Sequence, residues 1–229
     1  GLFTAPGSFS ETEELVALGR TLEAEGARYF THLRDEGNNV YDSVAETMAF
    51  AEAVGVHVQI VHMKLSGLDN WGGARKVLQM LSDARDRGVT IDCDVYPYTA
   101  ASNPLRNLMP SWLQEGGIEG TLARLANPDD RARLRREVDA EGLNNFGRIP
   151  SWDAVRISIS PNLPHYAGRT MASIAEEKGI DGFDAALNYI RDDSGQTRVL
   201  VESISEDDVQ DFVRATEVMV GSDGNSVAP

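Results

Sequence analysis

Cysteine is nearly absent from this chain. Its 229 residues include one, Cys93, so no disulfide can close within it, a pattern that suits a reducing compartment. Basic residues are scarce too. Against 36 Asp and Glu stand 21 Lys and Arg, and the net charge of -15 repels phosphate backbones and offers no counterion release on binding them. Nucleic acid is therefore not an expected partner. No apolar run reaches the roughly 18 residues that would read as a membrane span, so a membrane is not an expected partner either. Nor does the start of the chain show a charged segment leading into an apolar stretch and a small-residue cleavage site. The expectation is a soluble, cytoplasmic protein. With 41% hydrophobic and 7% aromatic residues the chain is long and apolar enough to bury a real core, which excludes disorder.

Both ends read as mid-domain text. The chain opens at Gly1 inside Gly-Leu-Phe-Thr-Ala-Pro-Gly without an initiator methionine, and it stops at Pro229 shortly after Gly-Ser-Asp-Gly. From residue 1 to about 98, helix-period segments alternate with short apolar runs, the pattern of βαβ units on a parallel sheet. Ser10 and Glu13 have the spacing of a capping box before a helix with Leu15, Leu18 and Leu22 on one face. Strands are predicted over 27–33, 56–62 and 89–96. Helices lie between them, one presenting Val44, Met48 and Ala51 and stopped by Gly55, the next presenting Ala74, Val77, Leu78, Leu81 and Ala84. From about 103 to 197 the rhythm breaks into mostly helical text with one predicted strand at 154–159 and a Pro-rich turn at 161–164, which reads as a long insertion. The alternation returns with a strand at 199–201, a helix capped by Ser205, and a last strand at 217–221 running into Ser222-Asp223-Gly224.

Chemistry gathers at the predicted strand ends. Two of the four histidines, His32 and His62, close consecutive strands 30 residues apart, one βαβ repeat. In a barrel of parallel strands the C-terminal edge carries the functional loops, so two imidazoles at one height on neighbouring strands can share a divalent cation. Asp223, at the end of a later strand, can supply an oxygen ligand or take a proton from an attacking water. On spacing alone a pair of hydrogen-bonded loop histidines remains an equal alternative. His57 opens its strand at the opposite edge and His165 lies in the Pro-rich turn, so neither gains from this register. Strand parity puts Asp92, Asp94 and Tyr96 on one face and turns Cys93 toward the helices as a core thiol. Lys64 shares the parity of His62 and can meet a carboxylate, or it can be a solvated loop lysine. The run Tyr96-Pro97-Tyr98 offers phenolic donors at a strand end, though packing explains it equally well. Arg34, Asp35 and Glu36 can be only a solvated loop, or the Glu36 carboxylate can support a metal site next to it.

These blocks together resemble the N-acyl-D-amino-acid deacylases (D-aminoacylases) of the amidohydrolase superfamily. The resemblance runs through Gly1-Leu2-Phe3 and Pro6-Gly7, residues 12–15, Tyr29-Phe30-Thr31-His32-Leu33-Arg34-Asp35-Glu36-Gly37, His62-Met63-Lys64, Asn70-Trp71-Gly72, residues 94–100 and Gly221-Ser222-Asp223-Gly224. Order and spacing agree over nearly the whole chain, and the segment from about 103 to 197 is the least specific.

The resemblance implies an α/β fold, a partial (β/α)8 TIM-type barrel of about strands 4–8 with a helical insertion between late strands, the chain being a fragment of one metal-dependent hydrolase domain. It implies zinc as cofactor and a small-molecule N-acyl-D-amino acid as substrate, cleaved at its amide bond. By position, His32 and His62 match metal ligands at the ends of the fifth and sixth barrel strands. Asp223 matches the eighth-strand aspartate, a ligand and general base, and Lys64, Tyr96 and Ser102 match substrate contacts. A His-x-His pair, a metal-binding cysteine on an early strand and a carboxylate-binding arginine past the aspartate are family features without a counterpart in this sequence. The remainder of a parent chain is therefore expected to complete the barrel, and the isolated piece is expected to be inactive. Two other readings stay open: a cyclic-amide amidohydrolase of the hydantoinase or dihydroorotase kind, which favours a strand lysine upstream of His32 where this chain has none, and a non-catalytic barrel remnant serving as a binding or assembly module.

Overall fold

The computed structural model describes residues 1–4 and 7–224; Pro6 of the first matching block lies outside the described residues. In chain order the elements are α1 (Thr12–Ala24), β1 (Tyr29–Thr31), α2 (Val40–Val54), β2 (Val58–Ile60), α3 (Ala74–Asp86), β3 (Ile91–Val95), β4 (Ala100–Pro104), α4 (Gly117–Ala126) and α5 (Pro128–Glu141). Then come β5 (Val155–Ile159), α6 (Met171–Lys178), α7 (Gly182–Asp192), β6 (Arg198–Glu202), α8 (Glu206–Arg214) and β7 (Val218–Val220). They form two compact units. One comprises residues 1–66, 70–98 and the chain from 204 on, the other residues 67–69 and 99–203. No helix among the described residues is long and apolar enough to cross a membrane.

The first unit is a parallel sheet of order β1-β2-β3-β7, in which Thr31 pairs with Ile60, and Ile60 in turn with Cys93. Parallel neighbours need a crossover, and α2 and α3 supply those between β1, β2 and β3. On β3 burial alternates: Ile91, Cys93 and Val95 enter the core while Asp92 and Asp94 face the other way, as parity requires. The α3 stripe Ala74, Val77, Leu81 and Ala84 is fully buried against this sheet core. Gly55 ends α2 in the left-handed conformation, φ 79°, with its N–H returned to Ala51.

The strands are shorter than their apolar runs suggested, because ladder pairing stops where the chain turns into its loops. At α1 two expectations fail. The N-cap is Glu11 and no side chain caps the helix; the Ser10 carbonyl instead accepts a bond from Arg34 at 2.9 Å. Leu18 is 63% exposed, since the contact face passes through Gly19, where an added Cβ would lie 2.8 Å from the Phe50 ring and from Val54. A close helix approach selects glycine there, and Leu18 is left off the contact face while Leu15 and Leu22 pack against the core.

The second unit has its own antiparallel sheet of order β4-β6-β5. On β6, Val199 and Val201 are buried while Leu200 is half exposed, and Val155 and Ile157 on β5 face the same core with Tyr189, Leu187, Leu108 and Leu125. Two strands thus join the single one expected here. The strand predicted at 199–201 forms, but it pairs antiparallel with β4 and β5 and takes no part in the parallel sheet. β4 reads Ala-Ala-Ser-Asn-Pro, a sequence of low strand propensity that is tolerated because it pairs on one side only and ends in proline.

Candidate metal centre

At the C-terminal end of β1, His32 follows Thr31, and at the end of β2, His62 lies two residues past Ile60. The register of Thr31 with Ile60 sets both histidines at neighbouring strand ends, His62 one residue further along its strand, where its φ of +41° departs from extended geometry. His32 Nδ1 and His62 Nε2 stand 3.0 Å apart, with the rings edge to face at 65°. The loop after β1 then folds back. Asp35 accepts the Gly37 N–H at 2.6 Å and the Asn39 amide at 3.0 Å, an Asx-type turn that buries Glu36 beside the histidines. Asn70 binds the Gly37 and Ser66 carbonyls and so joins the loops that follow β1 and β2.

Glu36 Oε1 lies 3.1 Å from His62 Nδ1 and 3.6 Å from His32 Nδ1, and Lys64 Nζ donates to it at 2.5 Å. Lys64 Nζ also lies 2.7 Å from His62 Nδ1 and 5.1 Å from the centre of the Tyr96 ring. His32, Glu36 and His62 are a group of ligand-type side chains whose donor atoms all lie within 4.8 Å of one another. Ordering this polar cluster requires charge compensation. Lys64 is only 4% exposed and Glu36 also 4%, so each ion neutralises the other away from water.

Burial dominates the electrostatics. It pushes the His32 imidazole down to about 4, against the Glu36 charge and with help from Lys64 and His62, so this ring is neutral near pH 7. For Glu36 burial works the other way, but the Lys64 ammonium and the two histidines overcome it and hold the carboxyl well below the usual carboxylate range. Burial also raises the Tyr96 phenol far above its ordinary value, with Glu36 and Asp223 adding to the rise. His32 Nε2 and the Tyr96 hydroxyl are buried and have no hydrogen-bond partner among the described residues. Unsatisfied buried polar atoms are costly in a folded protein, and two such atoms around one cluster mark a place where a further group belongs.

Of the residues singled out from sequence, the structure brings His32, His62, Lys64 and Tyr96 together. Asp223 lies outside the His-Glu-His group, exposed after β7 with φ 48°. Ser102 sits in the second unit on β4, exposed and 3.3 Å from Arg198 Nη2. His57 pairs with Asp92 at 2.8 Å at the start of β2, and His165 is exposed with its ring against Tyr166. Cys93 is a buried core thiol whose titration burial pushes up to about 12. Glu36, expected as outer support, places its carboxylate in the cluster itself, brought there by the turn at Asp35.

No family model matches the chain. It is 35% identical over 226 residues to an N-acyl-D-aspartate deacylase from Alcaligenes xylosoxydans xylosoxydans, matching 98% of this chain and 36% of that protein. It is 27% identical over 224 residues to a D-aminoacylase from the same organism, matching 98% of this chain and 37% of the relative. Among solved structures, an N-acyl-D-glutamate deacylase from Bordetella bronchiseptica, complexed with zinc and a phosphonate inhibitor that mimics the tetrahedral intermediate, superposes with a TM-score of 0.72 at 25% identity. That match covers 98% of this chain and 38% of the other. The chain therefore spans a little over a third of the length of the relatives it matches. By sequence and by its α/β fold, the chain is a homologue of the D-aminoacylases and N-acyl-D-amino-acid deacylases of the amidohydrolase fold.

Proposed function

We propose that this chain carries part of the active site of a zinc-dependent N-acyl-D-amino-acid deacylase, an amidohydrolase that cleaves the linear amide bond. The observation that carries the reading is the His32-Glu36-His62 cluster, whose donor atoms converge within 4.8 Å of one another at the strand ends of a deacylase homologue. On this reading β1, β2, β3 and β7 belong to a (β/α)8 barrel of which the chain holds about strands 4–8. The region at about 103–197 is then an insertion, and the rest of a longer chain closes the barrel. The protein is read as cytoplasmic.

The donor set fits the metal. Two nitrogens on a tetrahedral zinc lie roughly 3.3 Å apart when each bond is about 2.0–2.1 Å. The imidazole nitrogens here are 3.0 Å apart, so a shift of a few tenths of an ångström suffices. Neutral imidazoles and carboxylates are ordinary zinc donors, and burial keeps His32 neutral. His32 and His62 would hold the ion, with Asp223 as the oxygen ligand that the resemblance implies and Glu36 the carboxylate beside the pair. When bound, zinc supplies Lewis acidity that polarises a carbonyl and makes water a better nucleophile near neutral pH.

The chain's own groups have the following roles. Asp223 takes the proton of the attacking water and passes it to the leaving amine nitrogen. Tyr96, kept protonated by burial, donates its hydroxyl to the carbonyl oxygen as negative charge develops there. Lys64 holds Glu36 in place and has further N–H groups to offer the substrate. Ser102 is a substrate contact on the resemblance alone. Zinc titration of the full-length polypeptide tests the site: His32→Ala and His62→Ala should each abolish tight binding, and undiminished binding by both variants would refute it.

A further inference from the structure

Past the end of β2 the backbone leaves extended geometry at His62, whose φ is +41°. A residue with a Cβ rarely adopts that left-handed region, and it persists only where neighbours impose it. The neighbour here is Asp94 on β3. Its Oδ1 accepts the His62 N–H at 2.7 Å, and its main-chain carbonyl accepts the Met63 N–H at 2.6 Å. Its second carboxylate oxygen accepts the Gln59 side-chain amide at 2.7 Å, so both oxygens are engaged by N–H donors on β2 or just past it. On the opposite side the Val61 N–H donates to Thr31 on β1 at 3.0 Å. Residues 61–63 are thus gripped from both flanking strands at the point where the imidazole must turn toward His32.

We infer that Asp94 is a positioning residue for His62: by accepting the His62 N–H it holds that residue in the left-handed conformation that directs its ring toward His32 and Glu36. The inference rests on the proposed metal site and deepens it. Asp94 is outside the His-Glu-His cluster, and its oxygens are already bound to N–H groups, so it acts through His62 and not on the metal. Were Asp94 merely filling space, its carboxylate would not be needed as the acceptor for the N–H of a residue at positive φ.

The test uses the full-length polypeptide and zinc, with affinity read by competition against a chromophoric chelator and site geometry by the visible spectrum of the cobalt-substituted protein. Asp94→Ala should weaken zinc binding about 10- to 100-fold, the usual effect of removing a group that orients a ligand, and should alter the cobalt spectrum. Asp94→Asn should stay close to the parent, because its amide oxygen still accepts the His62 N–H while the Gln59 amide can turn to present oxygen to the new NH2. If Asp94→Ala does not fold, Asp94→Glu replaces it, keeping the charge but displacing the acceptor by one methylene, with the same weakening expected. Parent-like affinity together with a parent-like cobalt spectrum in Asp94→Ala, or in Asp94→Glu as its substitute, would overturn the positioning role. So would a loss in Asp94→Asn as large as in Asp94→Ala. His62→Ala separates the two levels: if it still binds zinc tightly, the metal-site reading fails, whereas its loss beside an unaffected Asp94→Ala overturns only the role of Asp94.

Discussion

Removing the ammonium of Lys64 while keeping its bulk, as in Lys64→Met, isolates the buried ion pair at the centre of the cluster. Both side chains of the Lys64–Glu36 pair are 5% exposed and the contact is 2.5 Å. At an effective dielectric near 20, two charges at that separation attract by roughly 6–7 kcal/mol before desolvation is counted. Desolvation of both ions offsets much of this in the intact pair, but a single substitution takes the ammonium away from the buried Glu36 carboxylate, and breaking a buried pair from one side costs about 3–5 kcal/mol. Against a typical stability of about 5–15 kcal/mol that is a large fraction. The double variant Glu36→Met/Lys64→Met removes both charges and should recover most of the loss, since apolar side chains of similar size replace such a pair at little cost. Urea unfolding of the metal-free full-length polypeptide, with both single variants and the double, measures the coupling as a double-mutant cycle. A Lys64→Met variant within about 0.5 kcal/mol of the parent, or additive losses in the double, would refute a coupled buried pair.

Protonation gives a second handle. Because His32 is held at about 4 against an ordinary 6.5, the unfolded chain binds more protons between those values. Metal-free stability should therefore be level above about pH 6.5 and fall as pH drops toward 4, by up to about 1.4 kcal/mol per pH unit, and His32→Gln should flatten that slope. Gly19→Val should lower the melting temperature through a loss of about 1–3 kcal/mol, because its Cβ would sit 2.8 Å from Phe50 and Val54. Asp208→Ala should cost about 2–3 kcal/mol in urea unfolding, since this buried carboxylate accepts the Gly72 and Ala74 N–H groups at 2.8 and 2.9 Å where α3 begins.

Much of the first unit can be read from sequence because its determinants are local. The 30-residue separation of His32 and His62, the alternation around Cys93, the stripe from Ala74 to Ala84 and the stop at Gly55 each depend on one strand or one helix. What escapes the sequence depends on partners distant along the chain. Val199 and Val201 alternate like any half-buried strand, and only their pairing with β4 and β5 shows that they join the antiparallel sheet. Ala100–Pro104 carries no strand signal and is recruited by β6. Leu18 is displaced from the α1 contact face because Phe50 and Val54 demand a glycine opposite them. In the site, Glu36 reaches the histidines through an Asx-type turn at Asp35, and His62 is turned by Asp94 from the next strand, geometries that residue spacing does not encode.

The most direct test is hydrolysis by the full-length polypeptide of N-acyl-D-amino acids and their L enantiomers, before and after chelation and zinc restoration. The expected result is D-selective amide cleavage that disappears with the metal, returns with zinc, and is lost in Asp223→Ala. Hydrolysis that survives complete metal removal, or a zinc-loaded polypeptide that leaves every N-acyl-D-amino acid intact, would contradict a zinc-dependent deacylase.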